Sequence, residues 1–206
     1  MNRNVHERRE PAFRTSLQAD TKLLVDILEV AVPGRCAAYL STPITTGLRF
    51  VNWYLKIGRD LKPESATYRR RHREQVILPN LDEARNLVRE LRTKGWFVLD
   101  PTSFEPVGWS QNQYRVFWGD VIERYAARLV MMDGWEYSAG CSFEFLVAVR
   151  QGIHAYSADG RLISTAEGQH SIEAAVAFMA ERDVPADFNG AVAELLSSTT
   201  GVRAKG

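Results

Sequence analysis

The sequence predicts an α/β fold, a single domain with an open, mostly parallel sheet and helices on both of its faces. Short buried apolar runs, typical of strands, alternate with longer segments whose apolar residues recur at helical spacing. The 206 residues, of which 45% are hydrophobic, suffice for one well-buried core and are too few for two comfortable domains. The domain is predicted over residues 16–200, between a charged, flexible arm at 1–15 and a tail at 201–206.

The chain begins the domain with an extra N-terminal helix and a first strand. Residues 16–32 carry apolar side chains at helical spacing, and Pro33-Gly34 ends the run. The predicted stripe consists of Leu23, Leu24, Ile27, Leu28 and Ala31. Cys36 to Leu40 is predicted to be a short buried strand that opens into a loop of Ser, Thr, Pro and Gly.

An insertion and a well-marked helix come next. Residues 48–79 are predicted to be the insertion, an aromatic-rich helix followed by a polar and strongly basic stretch. Asn80 and Glu83 have capping-box spacing, so a helix is predicted to begin there and to end at Gly95. Its apolar stripe consists of Leu81, Ala84, Leu87, Val88 and Leu91. The segment "WFVLDP" is predicted to be the second strand.

The remaining elements continue the alternation. Ser110 and Gln113 again have capping-box spacing, ahead of a helix. Its predicted buried residues are Tyr114, Phe117, Trp118, Val121 and Tyr125. "RLVMMD" is the predicted third strand, "SAGCSFEFLVAVRQG" the helix after it, and "HAYSA" a fourth strand before helices near 171–182 and 187–197. This order is that of three-layer Rossmann-like or flavodoxin-like folds, with right-handed crossovers.

Composition narrows the classes of function. The formal net charge of +1 does not indicate nucleic acid or an anionic membrane, so the expected partner is a small molecule. The basic run "YRRRHRE" leaves nucleic-acid binding through the insertion as a weaker alternative. Two unpaired Cys, no apolar leader and no run long enough to span a bilayer predict a cytoplasmic protein without a membrane partner. Scattered His residues and the lack of a glycine-rich phosphate motif predict no metal and no cofactor.

One carboxylate, Glu144, stands within "MMDGWEYSAGCSFEFLVAVRQG", a segment otherwise rich in small and apolar residues. Ser138 to Gly140 fall in the first turn of the helix after strand three, where free N–H groups favour an anion and small side chains let a phosphate approach. Glu144 lies one turn further, and the helix terminus is expected to help keep it ionised. The core-facing residues of this helix are predicted to be Phe143, Leu146 and Val147. The alternative is that Glu144 is an ordinary exposed helix residue.

Two other side chains are expected near Glu144. Tyr39 ends the first strand, and Asp120 lies on the flank of the preceding helix beside Phe117. Because a ligand crevice forms outside the carboxyl ends of parallel strands, Tyr39, Asp120 and Glu144 are predicted to converge there. An ionised carboxylate at that edge can act as a nucleophile.

Two segments of the chain resemble the nucleoside 2-deoxyribosyltransferase superfamily. "AAYLSTPITTG" is similar to its first strand and loop, and "GDVIERYAARLVMMDGWEYSAGCSFEFLVAVRQG" to its central signature. In that signature a helical Asp is followed by a strand, a polar residue, a Gly and a Glu, which Asp120, Ser138, Gly140 and Glu144 match in order. The resemblance covers roughly residues 35–155.

This resemblance implies cleavage or transfer at the N-glycosidic bond of a (deoxy)nucleoside or nucleoside 5'-monophosphate, with Glu144 as the nucleophile and retention of configuration. Asp120 would position sugar hydroxyls or move a proton to the leaving base, and Tyr39 would orient Glu144. The residues expected to bind sugar or phosphate are Ser41, Thr42, Thr45, Thr46, Ser138 and Gly140. The aromatic residues expected to stack on the base are Phe104, Trp109 and Trp135.

Departures from the family pattern leave a second interpretation open. Ser138 stands where transferases of free nucleosides carry an acid, and it looks more like the branch that hydrolyses deoxynucleoside 5'-monophosphates. Arg128 stands where many relatives carry an acidic residue, and the "DGWEYSAG" loop is similar to that of uncharacterised phage and bacterial members. The alternative is therefore a nucleotide-binding module without turnover, serving a phage or a defence system. Relatives complete their pockets with a neighbouring subunit, which implies a homodimer or a higher homo-oligomer.

Overall fold

A computed structural model describes residues 23–32, 34–104 and 108–186. The predicted arm, the predicted helix near 187–197 and the predicted tail lie outside these residues. Seven helices are found within the described ranges. They are α1 (23–31), α2 (Gly47–Lys56), α3 (Ala66–His72), α4 (Leu78–Thr93), α5 (Gln111–Tyr125), α6 (Ala139–Arg150) and α7 (Thr165–Ala180).

The strands form one five-stranded sheet across the described ranges, in the order β2-β1-β3-β4-β5. They are β1 (Ala37–Ser41), β2 (Phe97–Leu99), β3 (Ala126–Met131), β4 (His154–Ser157) and β5 (Leu162–Ile163). The pairs of β1 with β2, β1 with β3 and β3 with β4 are parallel, while β5 runs antiparallel to β4. The predicted α/β class and mostly parallel sheet are therefore confirmed. The short β5 was not predicted, because two residues carry no periodicity.

Helices cover both faces of the sheet, as the fully buried β1 requires. Successive side chains of a strand point to opposite faces. Accordingly, Ala38 and Leu40 pack with residues of α4, whereas Ala37 and Tyr39 pack with residues of α5 and α6. The result is a three-layer structure in which the helix before β3 and the helix after it share one face.

The predicted insertion is largely helical and has its own hydrophobic cluster. Its aromatic-rich helix is α2, and the basic stretch forms α3, in which Arg69, Arg70 and Arg71 lie in the last turn. The buried residues of the cluster are Phe50, Val51, Trp53, Val76, Ala175, Met179 and Val184. Because three of them belong to α7 and the turn after it, the segment is packed against the end of the described chain.

The helix that was predicted to begin at Asn80 begins earlier. Residues 66–93 form one helical run, in which a π-helical segment, Arg73–Ile77, joins α3 to α4. The N-cap of this run is Ser65, whose side chain accepts a hydrogen bond from the Tyr68 amide. Capping-box spacing at Asn80 was misleading because the backbone is already helical there. The predicted end is confirmed, since the run stops at Lys94 and Gly95 has a positive φ of 83°.

Two other helices differ from their predictions in detail. In α1, Leu24, Val25 and Leu28 pack on the main core, while Leu23 and Ile27 are 59% and 53% exposed, so its buried face is rotated from the predicted stripe. α7 begins at Thr165 rather than near 171, with a capping box between Ser164 and Glu167. The capping box predicted at Ser110 and Gln113 is present at the start of α5.

α7 makes its closest approach to the core at Gly168. A Cβ atom there would lie 2.0 Å from Cζ of the buried Phe145 ring. We expect Gly168→Ala to destabilise the protein by about 2–3 kcal/mol, because the ring and the helix backbone would both have to shift. Urea denaturation measures the loss. Gly119→Ala is the matched control, since its Cβ would come no closer than 3.4 Å to Phe143; equal midpoints for the two variants would contradict the prediction.

Candidate functional site

A cavity of about 430 Å³ opens at the carboxyl-terminal edge of the parallel strands. The loop after β1, residues 42–46, forms one wall, and the first turns of α5 and α6 form the others. Pro185 and Ala186 complete the lining near the end of the described chain. This is the edge at which open α/β sheets bind their ligands.

Glu144 lies in this lining, and two hydroxyl groups of β1 hold its carboxylate. The Tyr39 hydroxyl donates a hydrogen bond of 2.7 Å to Oε1, and the Ser41 hydroxyl donates one of 2.6 Å to Oε2. Tyr39 and Ser41 are two residues apart in a strand, so they point to the same face of the sheet. The predicted meeting of Tyr39 and Glu144 is therefore present. Ser41 was expected to bind sugar or phosphate. Its side chain is instead fully buried, holds Glu144 and does not line the cavity.

Burial governs the ionisation of Glu144. It raises the pKa of this carboxyl group from 4.5 to about 7, although the hydrogen bonds from Ser41 and Tyr39 act in the opposite direction. The helix terminus was expected to help keep Glu144 ionised, but removal of water outweighs the favourable contacts, so the carboxyl group is only partly ionised near neutral pH. Burial and the neighbouring Glu144 raise the pKa of Tyr39 well above its ordinary value, so Tyr39 stays protonated and donates. Burial also raises the pKa of Cys141 to about 12, which leaves this thiol neutral.

The raised pKa of Glu144 predicts how stability depends on pH. Between pH 4.5 and about 7, the folded protein binds more protons at this site than the unfolded chain does, so stability falls as pH rises. The total fall is on the order of 3 kcal/mol. Glu144→Gln is expected to lack it, and Tyr39→Phe to extend it to higher pH, because the carboxylate loses a donor. Urea midpoints across this window measure both effects, and parallel curves for wild type and Glu144→Gln would count against the assignment.

The α6 terminus forms the wall beside Glu144. Ser138 is the N-cap residue, just before the first turn in which it was predicted, and its hydroxyl accepts a hydrogen bond from the Cys141 amide. The Thr46 hydroxyl also donates to it, over 2.9 Å. Ser138 and Thr46 therefore join the helix to the loop, while both still line the cavity. At Gly140 an added Cβ would meet only the Ser138 hydroxyl, at 3.9 Å, so this wall is open to a ligand.

The other predicted threonines also line the cavity. Thr42 is half-buried, and its hydroxyl oxygen is buried without a hydrogen-bond partner in the described part of the chain. Thr45 is exposed at the cavity wall. Because a buried hydroxyl without a partner is unfavourable, a polar ligand atom beside Thr42 would satisfy it.

Asn80, which sequence reasoning took for a helix cap, fixes the loop after β1. It is 3% exposed, and its amide donates hydrogen bonds of 2.6 Å and 3.1 Å to the carbonyl oxygens of Pro43 and Ile44. Its carbonyl oxygen accepts from Arg49 Nε at 2.7 Å. His72 adds a fourth contact, Nε2 to the Thr45 carbonyl oxygen at 2.9 Å. The sequence does contain a signal for this role, because Asn80 continues the buried stripe of α4 at helical spacing. A buried amide cannot bond to water, so it is expected to have hydrogen-bond partners within the protein.

Asp120 does not join Tyr39 and Glu144. Its carboxylate accepts a hydrogen bond of 2.9 Å from Arg124, one turn later in α5, and its side chain is 38% exposed. Arg124 also contacts Glu29 of α1, so this face of α5 is turned toward α1 and away from the cavity lining. The predicted convergence of all three residues is therefore wrong for Asp120. The i, i+4 spacing of Asp120 and Arg124 was the signal for a surface ion pair.

The aromatic residues that were expected to stack on a base belong to the core. Phe104 and Trp109 pack against Phe117, with ring centroids 5.9 Å and 5.2 Å away, and Trp135 lies 4.9 Å from the Phe145 ring. They pack with the main hydrophobic core and do not line the cavity. The aromatic residues that line it are Phe50, Tyr114, Tyr137 and Phe143. Phe143 is thus only half-buried, and Phe145 takes the core position predicted for it.

Arg128, the departure from the family pattern in β3, has a structural position. Its guanidinium lies 3.7 Å from the centre of the Trp96 ring and 4.7 Å from that of Tyr156. Such cation–π contacts stabilise a partly buried guanidinium where no carboxylate is at hand. Arg128 therefore joins the strand β3 to its flanking elements and lies outside the cavity lining.

In the described ranges, no three His, Cys, Asp or Glu side chains lie close enough together to hold a metal ion, and no helix is long and apolar enough to cross a membrane.

Comparison with known proteins finds no relative. The chain matches no protein-family model, no curated protein and no solved structure. The resemblance to the deoxyribosyltransferase superfamily thus depends on the two sequence segments quoted above.

Proposed function

We propose that the cavity binds a nucleoside or a nucleoside 5'-monophosphate, and that Glu144 cleaves or transfers its N-glycosidic bond. The observation that carries the proposal is the carboxylate of Glu144, held at both oxygens by Tyr39 and Ser41 in the wall of a cavity. A volume of about 430 Å³ lies within the usual range for sites that enclose a small ligand.

The chemistry that suits this geometry is nucleophilic substitution at the anomeric carbon. An oxygen of the ionised Glu144 attacks that carbon, and the base leaves with the electron pair of the C–N bond and takes a proton from solvent. Water or a second base then displaces Glu144 from the glycosyl ester, which restores the original configuration. Tyr39 and Ser41 orient the carboxylate for the attack, so they act as positioning residues.

Base release is the test of this proposal. The protein is incubated with a panel of nucleosides and 5'-monophosphates, with and without an acceptor base, and free base is detected by chromatography. Release that disappears in Glu144→Gln supports the proposal, and a dependence on the acceptor separates transfer from hydrolysis. The absence of release from every member of the panel refutes it.

A nucleotide-binding module without turnover is the second candidate, and a specific observation favours it. Retaining glycosidases ordinarily use two carboxylates, one as nucleophile and one as acid and base. Glu144 is the only carboxylate among the described residues that line the cavity, because Asp120 faces another way. Saturable binding of a nucleotide without release of its base is the result that selects this candidate.

A further inference from the structure

We infer that Arg115 is the recognition group for an anionic substituent of the ligand, so that the natural ligand carries a phosphate or a carboxylate. This inference depends on the proposed function for the identity of the ligand as a nucleoside derivative. Arg115 lines the same cavity as Glu144, on α5, and it is half-buried there. It is the only Lys or Arg side chain among the described residues of the lining.

Arg115 combines a half-buried position in the cavity lining with the lack of a partner among the described residues. Six arginines of the described ranges each form an ion pair with an acidic side chain. They are Arg49, Arg70, Arg85, Arg124, Arg161 and Arg182. Arg128 is stacked between aromatic rings. Arg115, by contrast, makes no ion pair and no hydrogen bond to any residue that the structure describes. A half-buried guanidinium has lost part of its hydration. An anionic group of a ligand would provide the hydrogen bonds and the opposite charge that the described residues do not provide.

The position of Arg115 relative to Glu144 restricts the ligand further. The carboxylate of Glu144 is held by Tyr39 and Ser41, and Arg115 makes neither a hydrogen bond nor an ion pair with it. The cation and the carboxylate are therefore separate groups of one cavity and do not neutralise each other. A ligand whose reacting carbon faces Glu144 can place a second, anionic group at Arg115.

The surroundings of Arg115 suit an oxyanion. Gln111 lies four residues earlier in α5, so both side chains are on the same face of the helix, and both line the cavity. The planar guanidinium presents paired N–H donors that match two oxygens of a phosphate or carboxylate, and the Gln111 amide can add another donor.

The test is a binding measurement by calorimetry in the Glu144→Gln background, in which no ligand should be consumed. The probes are inorganic phosphate, a nucleoside, its 5'-monophosphate, and a nucleoside whose base carries a carboxylate. We expect Arg115→Gln to weaken binding of the anionic probes about 10- to 100-fold and that of the neutral nucleoside less than about twofold. The phosphate and carboxylate probes identify the source of the anion.

Two further variants make the result interpretable. Arg115→Lys keeps the charge and loses the paired donors, so it should fall between wild type and Arg115→Gln in affinity for the anions. Arg85→Gln is the matched control, because Arg85 pairs with Asp82 on the exposed side of α4, and it should bind like wild type.

Several outcomes would overturn the inference. They are an equal loss for neutral and anionic probes, a wild-type preference for the neutral nucleoside, and no binding of any probe. The proposed function is judged separately from base release by the wild-type protein. Anion binding that depends on Arg115 without base release would keep this inference and refute the glycosidase. Base release by a protein that shows no preference for the anionic probes would support the glycosidase and overturn this inference.

Discussion

Replacing Glu144 by Gln is expected to lower kcat for base release about 10⁴-fold, because the variant has no ionisable oxygen with which to attack the anomeric carbon. The ligand should still bind with an affinity close to that of wild type. Gln keeps the size of the side chain, and its amide can exchange hydrogen bonds with the hydroxyls of Tyr39 and Ser41. The measurement is single-turnover base release with the substrate that the nucleoside panel identifies, together with calorimetric binding.

Glu136→Gln is the matched control for this experiment. Glu136 stands just before α6, is half-buried, and has a pKa that burial raises, as in Glu144, but it does not line the cavity. We expect wild-type turnover from it. A Glu144→Gln protein that releases base within tenfold of the wild-type rate would exclude Glu144 as the nucleophile.

Asn80→Asp is expected to lower the free energy of unfolding by about 3 kcal/mol. The variant replaces an amide donor by a carboxylate that faces the carbonyl oxygens of Pro43 and Ile44, so two hydrogen bonds become repulsive contacts. The ion pair that Arg49 can form with the new carboxylate offsets a part of this loss. Urea denaturation at neutral pH measures the change in the free energy of unfolding.

The same variant should impair ligand binding more than it impairs the chemistry. The loop carries Thr42 and Thr45, which line the cavity, whereas Glu144 is held by β1. KM should therefore rise while kcat changes little. Asn86→Asp, on the exposed side of the same helix, is the control. If both variants had the same stability and KM, Asn80 would not be what fixes the loop.

The pairing of Tyr39 with Glu144 could be predicted from the sequence because it follows from topology. The end of a parallel strand and the start of the helix after its neighbour meet at one edge of the sheet, and the spacing of the motifs places both residues there. The layers of the fold were predictable for a similar reason, since periodicity and caps are local. Periodicity does not show how a helix is rotated about its axis. In α5 this rotation places Asp120 beside Arg124 and outside the cavity lining.

Asn80 and Ser41 have roles that the sequence did not predict, and both residues have partners that are distant in the chain. Asn80 contacts a loop more than thirty residues away. Its helical spacing with the buried residues of α4 indicates that it is buried, but does not indicate which loop it contacts. Ser41 has a small polar side chain in a loop-like composition, and its burial depends on the helix that carries Glu144. Trp135 was expected to stack on the base of a ligand, because large aromatic residues can either fill a core or contact a ligand. Only the packing in the structure distinguishes these roles, and it places Trp135 against the Phe145 ring.

The way in which the loop after β1 is fixed has an evolutionary consequence. Asn80 and His72 hold it through carbonyl oxygens of the backbone, which every type of residue possesses. Substitutions at Thr42 or Thr45 thus change the surface presented to a ligand without removing a contact that positions the loop. Descendants of this chain can acquire new ligand preferences by single point mutations here, while the scaffold that presents them stays the same.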